Sequence, residues 1–510
     1  MGGRQAVLGI ERGAFFYGAT RVFSQVTFLL DGARTALVGE NGAGKSTLLK
    51  CLTGELELNQ GKVIASRGLR VAALSQEVPA HFAAMSVRAV LERSLARAGA
   101  VGENWRIDML LGEIAVAEAT AQAAFSALSG GWQRLILIAA AAKLENPDIL
   151  ILDEPTNYLD IANINTLERW LTNDIGLPML IVSHDREFLD RVTSRTLFLR
   201  TDGIHAFKAP FLLAREALLR RDAAAAVQGR LEDKEIKRLE KVAARYKLWG
   251  VKNSKFHKRE KATHKRIARI EADKSRGYAP RERRLELNDS DIEAKVALRL
   301  SGVTVRIPGS DRPLLDIDRL TIGAGDRVAL LGVNGAGKST LLAAIARAYD
   351  PNLQHYDGQA GIRFNPACKL VYFDQTMGAL PLGDSLLGFL TAAEGATDRD
   401  AIRLLAQAGF AFARIGEAIG LLSHGERSRL MFLKMKLLAP NFYLLDEPTS
   451  HLDIEGQEDL ESELEETDVS CIFVSHDRYF TRAAATRFLE IRKGRLVEVE
   501  NPDDFFDAQG

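Results

Sequence analysis

Thr35-Ala36-Leu37-Val38-Gly39-Glu40-Asn41-Gly42-Ala43-Gly44-Lys45-Ser46-Thr47 decides how this chain folds. A short apolar run enters a glycine-rich loop, and Leu48, Leu49 and Leu52 then recur at helical spacing, so the stretch reads as strand, loop, helix. Gly39, Gly42 and Gly44 let the backbone curl until successive amides, from Asn41 to Thr47, face inward on phosphate oxygens, with the positive end of the helix dipole behind them. At this spacing Lys45 reaches the outer phosphates and Ser46 offers a hydroxyl to Mg²⁺. A plain glycine turn before a helix explains the same residues, so the rest of the chain has to choose.

Pro147-Asp148 turns the chain into Ile149-Leu150-Ile151-Leu152, an apolar strand that ends in Asp153-Glu154. Adjacent carboxylates at the end of a buried strand are costly unless they have work to do. Asp153 suits a Mg²⁺ ligand, direct or through water, and Glu154 suits the base that orients the attacking water in phosphoryl transfer. A second apolar strand, Met179-Leu180-Ile181-Val182, delivers Ser183-His184-Asp185 to the same edge. Nucleotide folds place their sites at the carboxyl ends of strands, which makes His184 a catalytic candidate.

With these motifs in order, the first half resembles a nucleotide-binding domain of the ABC ATPase superfamily. Leu128-Ser129-Gly130-Gly131-Trp132-Gln133 matches the signature that closes on the γ-phosphate held by the opposite domain. Gln76, 31 positions after Lys45, matches the glutamine that senses Mg²⁺ and the attacking water. Thr156-Asn157-Tyr158-Leu159-Asp160 matches the D-loop. Tyr17, with Phe16 beside it, stands where the family stacks an aromatic ring on adenine.

The second half repeats the set in the same order. It carries Gly332-Val333-Asn334-Gly335-Ala336-Gly337-Lys338-Ser339-Thr340, Gln375, Leu422-Ser423-His424-Gly425-Glu426, Asp446-Glu447, Leu452-Asp453 and Ser475-His476-Asp477. Ser129 to Asp153 spans 24 positions and Ser423 to Asp446 spans 23, while Glu154 to His184 spans 30 and Glu447 to His476 spans 29. Five ordered motifs at matched spacing establish an internal repeat. Two departures stand out: His424 replaces the first signature glycine, and Ile307 falls near the position of Tyr17 with no aromatic before Lys338. The resemblance implies ATP and Mg²⁺ as cofactors and two composite sites. In one, Lys45, Ser46, Asp153, Glu154, His184 and Gln76 face Ser423 and Gly425; in the other, Lys338, Ser339, Asp446, Glu447, His476 and Gln375 face Ser129 and Gly131. One chain supplies both halves, so a monomer closing on itself is expected.

Between the halves, residues 241–269 hold eleven bases against Glu260, a net +10, although the whole chain balances 67 basic and 67 acidic residues. Concentrated positive charge meets phosphate. Ile236, Leu239, Val242, Tyr246 and Trp249 recur at three and four positions, as do Phe256, Thr263, Ile267 and Ile270, predicting two antiparallel helices with a turn at residues 250–254 and a stop at 277–280. Lys247, Lys252, Lys255, Lys258, Arg259, Lys261, Lys265 and Arg266 are the candidate RNA contacts. Tyr246, Trp249 and Phe256 suit either stacking on bases or packing between the helices.

The fold class expected is therefore α/β: two P-loop ABC-type ATPase domains in tandem, residues 1–208 and 296–502, joined by a basic helical-hairpin linker at 209–295, with a tail at 503–510. That arrangement resembles the ABC-F class, and Trp132 after the signature agrees with it. The resemblance implies a factor that binds the ribosome, its linker reaching toward tRNA and rRNA, without a membrane subunit. The longest apolar run, residues 135–142, is far short of a membrane span and no secretory leader is evident, so a cytoplasmic location is expected. The ATPase subunit of an importer is the alternative, but it leaves the +10 segment unexplained. A DNA-repair or chromosome ABC protein would carry zinc cysteines or very long coiled coils, whereas Cys51, Cys368 and Cys471 are isolated.

Overall fold

The computed structural model describes the chain apart from residues 1–6, 76–77, 115, 158, 251–253, 273–295, 308, 311, 350–360, 375–379, 393–396, 451 and 509–510. Two compact units result: Met1–Phe211 with Arg283–Gly510, and Leu212–Glu282.

In the first half, the strand Arg34–Val38 lies inside a six-stranded sheet ordered Val71–Leu74, Ile149–Asp153, Met179–Val182, Arg34–Val38, Arg195–Arg200, Gly203–Phe207. Neighbouring pairs among the first five strands are parallel and the last is antiparallel. Unbroken apolar runs such as Ile149 to Leu152 belong in such a sheet, because both faces are covered. The parallel pairing brings the loop after Val38, the Asp153-Glu154 pair and the Ser183-His184 pair to one edge. A separate antiparallel sheet of Thr20–Leu30, Leu8–Tyr17 and Gln60–Ala65 completes this half.

The second half repeats the strand order but joins the corresponding pieces into one nine-stranded sheet through the single parallel pairing Asp316↔Arg495. Residues 503–510, expected as a tail, contain the helix Asp503–Ala508, whose Phe505 and Phe506 enter the second half's core. Ile161 of the first half is buried in that same core, and Asn165 Nδ2 donates to Phe506 O at 2.8 Å.

Both one-residue excesses of the first half are absorbed by π-helical turns. Ser129 caps a helix that runs through Gly130–Ala139 into the π segment Ala140–Leu144, whereas Ser423 caps a single α-helix, His424–Leu438. The two runs end alike, on the left-handed residues Asn146 (φ 46°) and Ala439 (φ 44°), so the extra residue lies within the helix. The second excess repeats this: Asp160 caps Ile161–Arg169, which continues as the π segment Trp170–Asp174, while Asp453 caps the regular Ile454–Glu466. A π turn takes in one residue while keeping the helix's two ends in place.

The second unit holds the two expected helices; residues 251–253 of the expected turn and the stop expected at 277–280 lie outside the described residues. Phe211–Gly250 and Ser254–Ala272 are helices, and the 40 residues of the first extend about 60 Å at 1.5 Å per residue. Ile236, Ala243 and Ile267 are buried, Arg266 Nη2 meets Glu235 Oε1 at 3.3 Å, and Tyr246 stacks on Phe256 at 6.0 Å. The aromatics therefore pack on one another across the turn. Lys247, Lys255, Lys258, Arg259, Lys261, Lys265 and Arg266 are all exposed; Lys252 lies outside the described residues. Among the described residues, no helix is long and apolar enough to cross a membrane.

Candidate functional site

Each glycine-rich loop is shaped by glycine where a side chain has no room. Gly44 adopts φ 94°, and a Cβ there would lie 2.4 Å from Val22 Cγ1; Gly337 adopts φ 103°, with a Cβ 2.7 Å from Leu314 Cδ2. The helices Lys45–Thr53 and Lys338–Tyr349 start directly after them, which places Ser46, Thr47, Ser339 and Thr340 in first turns. Lys45 Nζ donates to Gly39 O at 2.7 Å and Glu40 O at 3.2 Å; Lys338 Nζ donates to Gly332 O and Val333 O at the same two distances. Burial holds both ammonium groups below the usual lysine range, opposed chiefly by Glu154 at Lys45 and by Glu447 at Lys338. A buried cation on a glycine loop that opens directly into a helix N-terminus fits a polyphosphate.

The carboxylates stand beside these loops. Ser339 Oγ donates to Asp446 Oδ1 at 3.1 Å, and Ser46 hydrogen-bonds the Asp153 side chain. Burial raises the Asp153 carboxyl and pushes Asp446 up to about 6, in each case against the serine's hydrogen bond. Paired hydroxyl and carboxylate oxygens are the donor set that Mg²⁺ takes.

The next residue in each half is held in an uncommon backbone conformation: Glu154 at φ 49° and Glu447 at φ 52°. Such positions cost on the order of 1–3 kcal/mol and gather at functional sites. Each backbone N–H is held by the neighbouring strand, Glu154 N to Val182 O at 2.8 Å and Glu447 N to Val474 O at 2.9 Å. The side chains then meet the histidines. His184 Nε2 lies 3.2 Å from Glu154 Oε1, and His476 Nε2 lies 3.5 Å from Glu447 Oε1; the histidine amides donate to the other carboxylate oxygens at 3.2 and 3.1 Å. Burial pushes the Glu154 carboxyl up to about 7, against Lys45 and with Asp153 adding to the rise.

The halves contribute to each other's sites. Asn41 N donates to Asp453 Oδ2 of the second half at 2.9 Å, and the Asp160 charge acts on Lys338. Ser129 and Ser423 cap their own signature helices; Ser423 forms a full capping box with Glu426, which Arg414 braces at 2.6 Å. Gly130, Gly131 and Gly425 form the first turns of those helices. Tyr17 is 57% exposed at its hairpin tip, edge-on to Phe15 at 5.0 Å, open to stacking. Ile307 instead lines a pocket of about 490 Å³ with Leu314, Arg312 and Lys493. Gln76 and Gln375 lie outside the described residues.

Two residues escaped the sequence reading. Arg134, 2% exposed, donates to Ser75 O, to Asp153 O at 2.5 Å and to Glu154 O at 3.3 Å, so it ties the signature helix to the carboxylate strand. An arginine directly ahead of the longest apolar run was the available signal. Its counterpart in the second half is the fully buried Ser428. Tyr372, where the first half has Ala73, hydrogen-bonds Asp446.

Comparison with known proteins agrees with this geometry. A family model described as ABC transporter matches residues 25–157 and 315–450, more than half of the chain. "ABC transporter F family member 2" of Arabidopsis thaliana is 30% identical, covering 96% of this chain and 77% of its own. "ATP-binding protein Uup" of Caulobacter vibrioides is 31% identical over 99% and 82%. Among solved structures, "RNase-L Inhibitor" matches with a TM-score of 0.64 at 18% identity, covering 98% of this chain and 93% of that one, a likeness of fold. Two ABC domains repeated in one chain, with relatives of this kind along nearly its whole length, make this protein an ATP-hydrolysing member of the ABC-F family.

Proposed function

We propose that this protein is a cytoplasmic, monomeric translation factor that docks on the ribosome with its two halves closed on ATP, presents its basic hairpin to tRNA or rRNA, and leaves after hydrolysis. The observation that carries the reading is the hairpin, where seven candidate bases are exposed on two paired helices inserted in sequence between two ATPase halves. The ABC-F resemblance supplies the ribosome; the charge alone asks only for phosphate. One structure of like fold is described as an archaeal ribosome recycling factor with a ribosomal stalk protein, at 18% identity.

In each site the loop amides and Lys45 or Lys338 hold the ATP phosphates. Ser46 with Asp153, and Ser339 with Asp446, hold Mg²⁺, which when bound neutralises phosphate charge. Glu154 and Glu447 accept the proton of the attacking water while His184 and His476 fix their carboxylates, and Ser423 with Gly425, or Ser129 with Gly131, close from the opposite half. No membrane subunit takes part.

Changing Lys255, Lys258 and Lys261 together to Glu tests the hairpin. Each neutralised phosphate contributes about 0.7 to the salt slope of binding on single-stranded RNA, so the slope for ribosome binding should fall by about 2 or more. An unchanged slope would make the hairpin a spacer.

A further inference from the structure

Arg186 and Arg478 lie outside the phosphate machinery, yet their side chains are 2% and 1% exposed. Each stands two positions after a candidate catalytic histidine and ends on a glutamate of the opposite half. Arg186 donates through both Nη atoms to Glu461, with Nη1 at 3.0 Å, and also reaches Asp477 at 3.4 Å. Arg478 pairs with Glu168. Buried pairs of this kind are costly to break, because the remaining partner is left charged and dry.

The glutamates belong to helices with a second attachment. Asp453 caps Ile454–Glu466 and at the same time accepts the Asn41 N–H of the first phosphate loop. That helix therefore grips the first half's site twice, on its loop and, through Glu461, on the arginine beside His184. The helix Ile161–Arg169 repeats the arrangement in reverse: its cap Asp160 acts on Lys338, and Glu168 holds the arginine beside His476. The buried arginine–glutamate pair is repeated in both halves, and in the first site the cap Asp453 adds a second, independent contact, which separates this from incidental interface pairing.

We infer that each of these helices is a strut of the opposite half's site, with Arg186 and Arg478 acting as positioning residues that set His184 and His476 through Glu461 and Glu168. Turnover at each site then depends on a helix of the other half. The inference rests on Glu154 and Glu447 being the bases.

The test uses the full chain. Glu447→Gln leaves the first site to turn over and Glu154→Gln leaves the second. Glu461→Gln should lower kcat roughly tenfold in the Glu447→Gln background, the size of a small misplacement of a catalytic group, with KM for ATP within about twofold. Its effect in the Glu154→Gln background should be at least about fivefold smaller, and Glu168→Gln should show the opposite order. Amide exchange gives an independent reading: Glu461→Gln should loosen Arg186–Val192 more than Arg478–Ala484, and Glu168→Gln the reverse. Equal effects in both backgrounds with equal exchange in both helices would overturn the strut. Glutamine variants that fail to lower turnover would overturn the assignment of the bases instead, leaving exchange to decide the strut.

Discussion

Replacing Arg134 by Met probes how the first site is built. The side chain is 2% exposed and its guanidinium serves three carbonyls, those of Ser75, Asp153 and Glu154. Methionine fills similar space and adapts to irregular surroundings, so the change removes donors with little cavity. Hydrogen bonds from a charged group contribute about 1.5–3 kcal/mol each. A buried acceptor left without its donor costs about 1–3 kcal/mol, and with three carbonyls losing one donor we take about 3–5 kcal/mol for the first half. For a domain of roughly 200 residues, each kcal/mol moves the thermal midpoint by about 2–4 °C, so a fall on the order of 10 °C is expected in the first half's transition. Chemistry should suffer as well, since Arg134 pins the Glu154 backbone and draws its carboxyl down against burial. In the Glu447→Gln background kcat should drop by roughly tenfold or more. Scanning calorimetry and steady-state phosphate release measure both. A midpoint within about 2 °C of the parent with turnover within about twofold would show that the arginine does not hold this edge together.

Burial pushes the Asp185 carboxyl from an ordinary 3.8 up to about 6, against Arg478 and with Asp477 adding to the rise. A group raised on folding supports the fold below its unfolded value and loses that contribution as pH rises through the folded one, here between about 4 and 6, worth about 3 kcal/mol. Asp185→Asn keeps an acceptor for Phe188 N, so its stability relative to the parent should grow with pH over that window; a difference independent of pH contradicts the assignment. Deleting Ala141 from the π turn should let the helix run regularly, as in the second half, at a cost below about 2 kcal/mol by thermal melting. Deleting Met431 from the regular helix His424–Leu438 should instead rotate all later residues by about 100° and unfold that half; equal losses from both deletions would refute the π-turn account.

The fold was legible because its decisive signals are local. Glycine loops, apolar runs ending in Asp153-Glu154 and Asp446-Glu447, and the 3–4 spacing in the linker each dictate their own conformation, and the duplicated order removes chance. Even the unequal spacings, 24 against 23 and 30 against 29, were visible; that they mean π turns was not, because an extra residue looks the same in a loop as in a helix. What stayed hidden depends on tertiary approach. Arg134 reads as one more base ahead of an apolar run until its three carbonyls are brought together. Arg186 and Glu461 are 275 positions apart and meet only once the halves are packed. The signature serines were read for what they present to the opposite half, yet capping their own helices occupies them first. Tyr246, Trp249 and Phe256 suited two roles equally, and their rings pack against each other.

Whether ATP closure carries this protein onto the ribosome is decided by cosedimentation of the Glu154→Gln, Glu447→Gln double variant with ribosomes. The variant should bind ATP, fail to turn it over, and stay in the ribosomal pellet with ATP but leave it with ADP. Absence from that pellet in ATP, with recovery in a membrane fraction instead, would contradict the account and favour a transporter's ATPase.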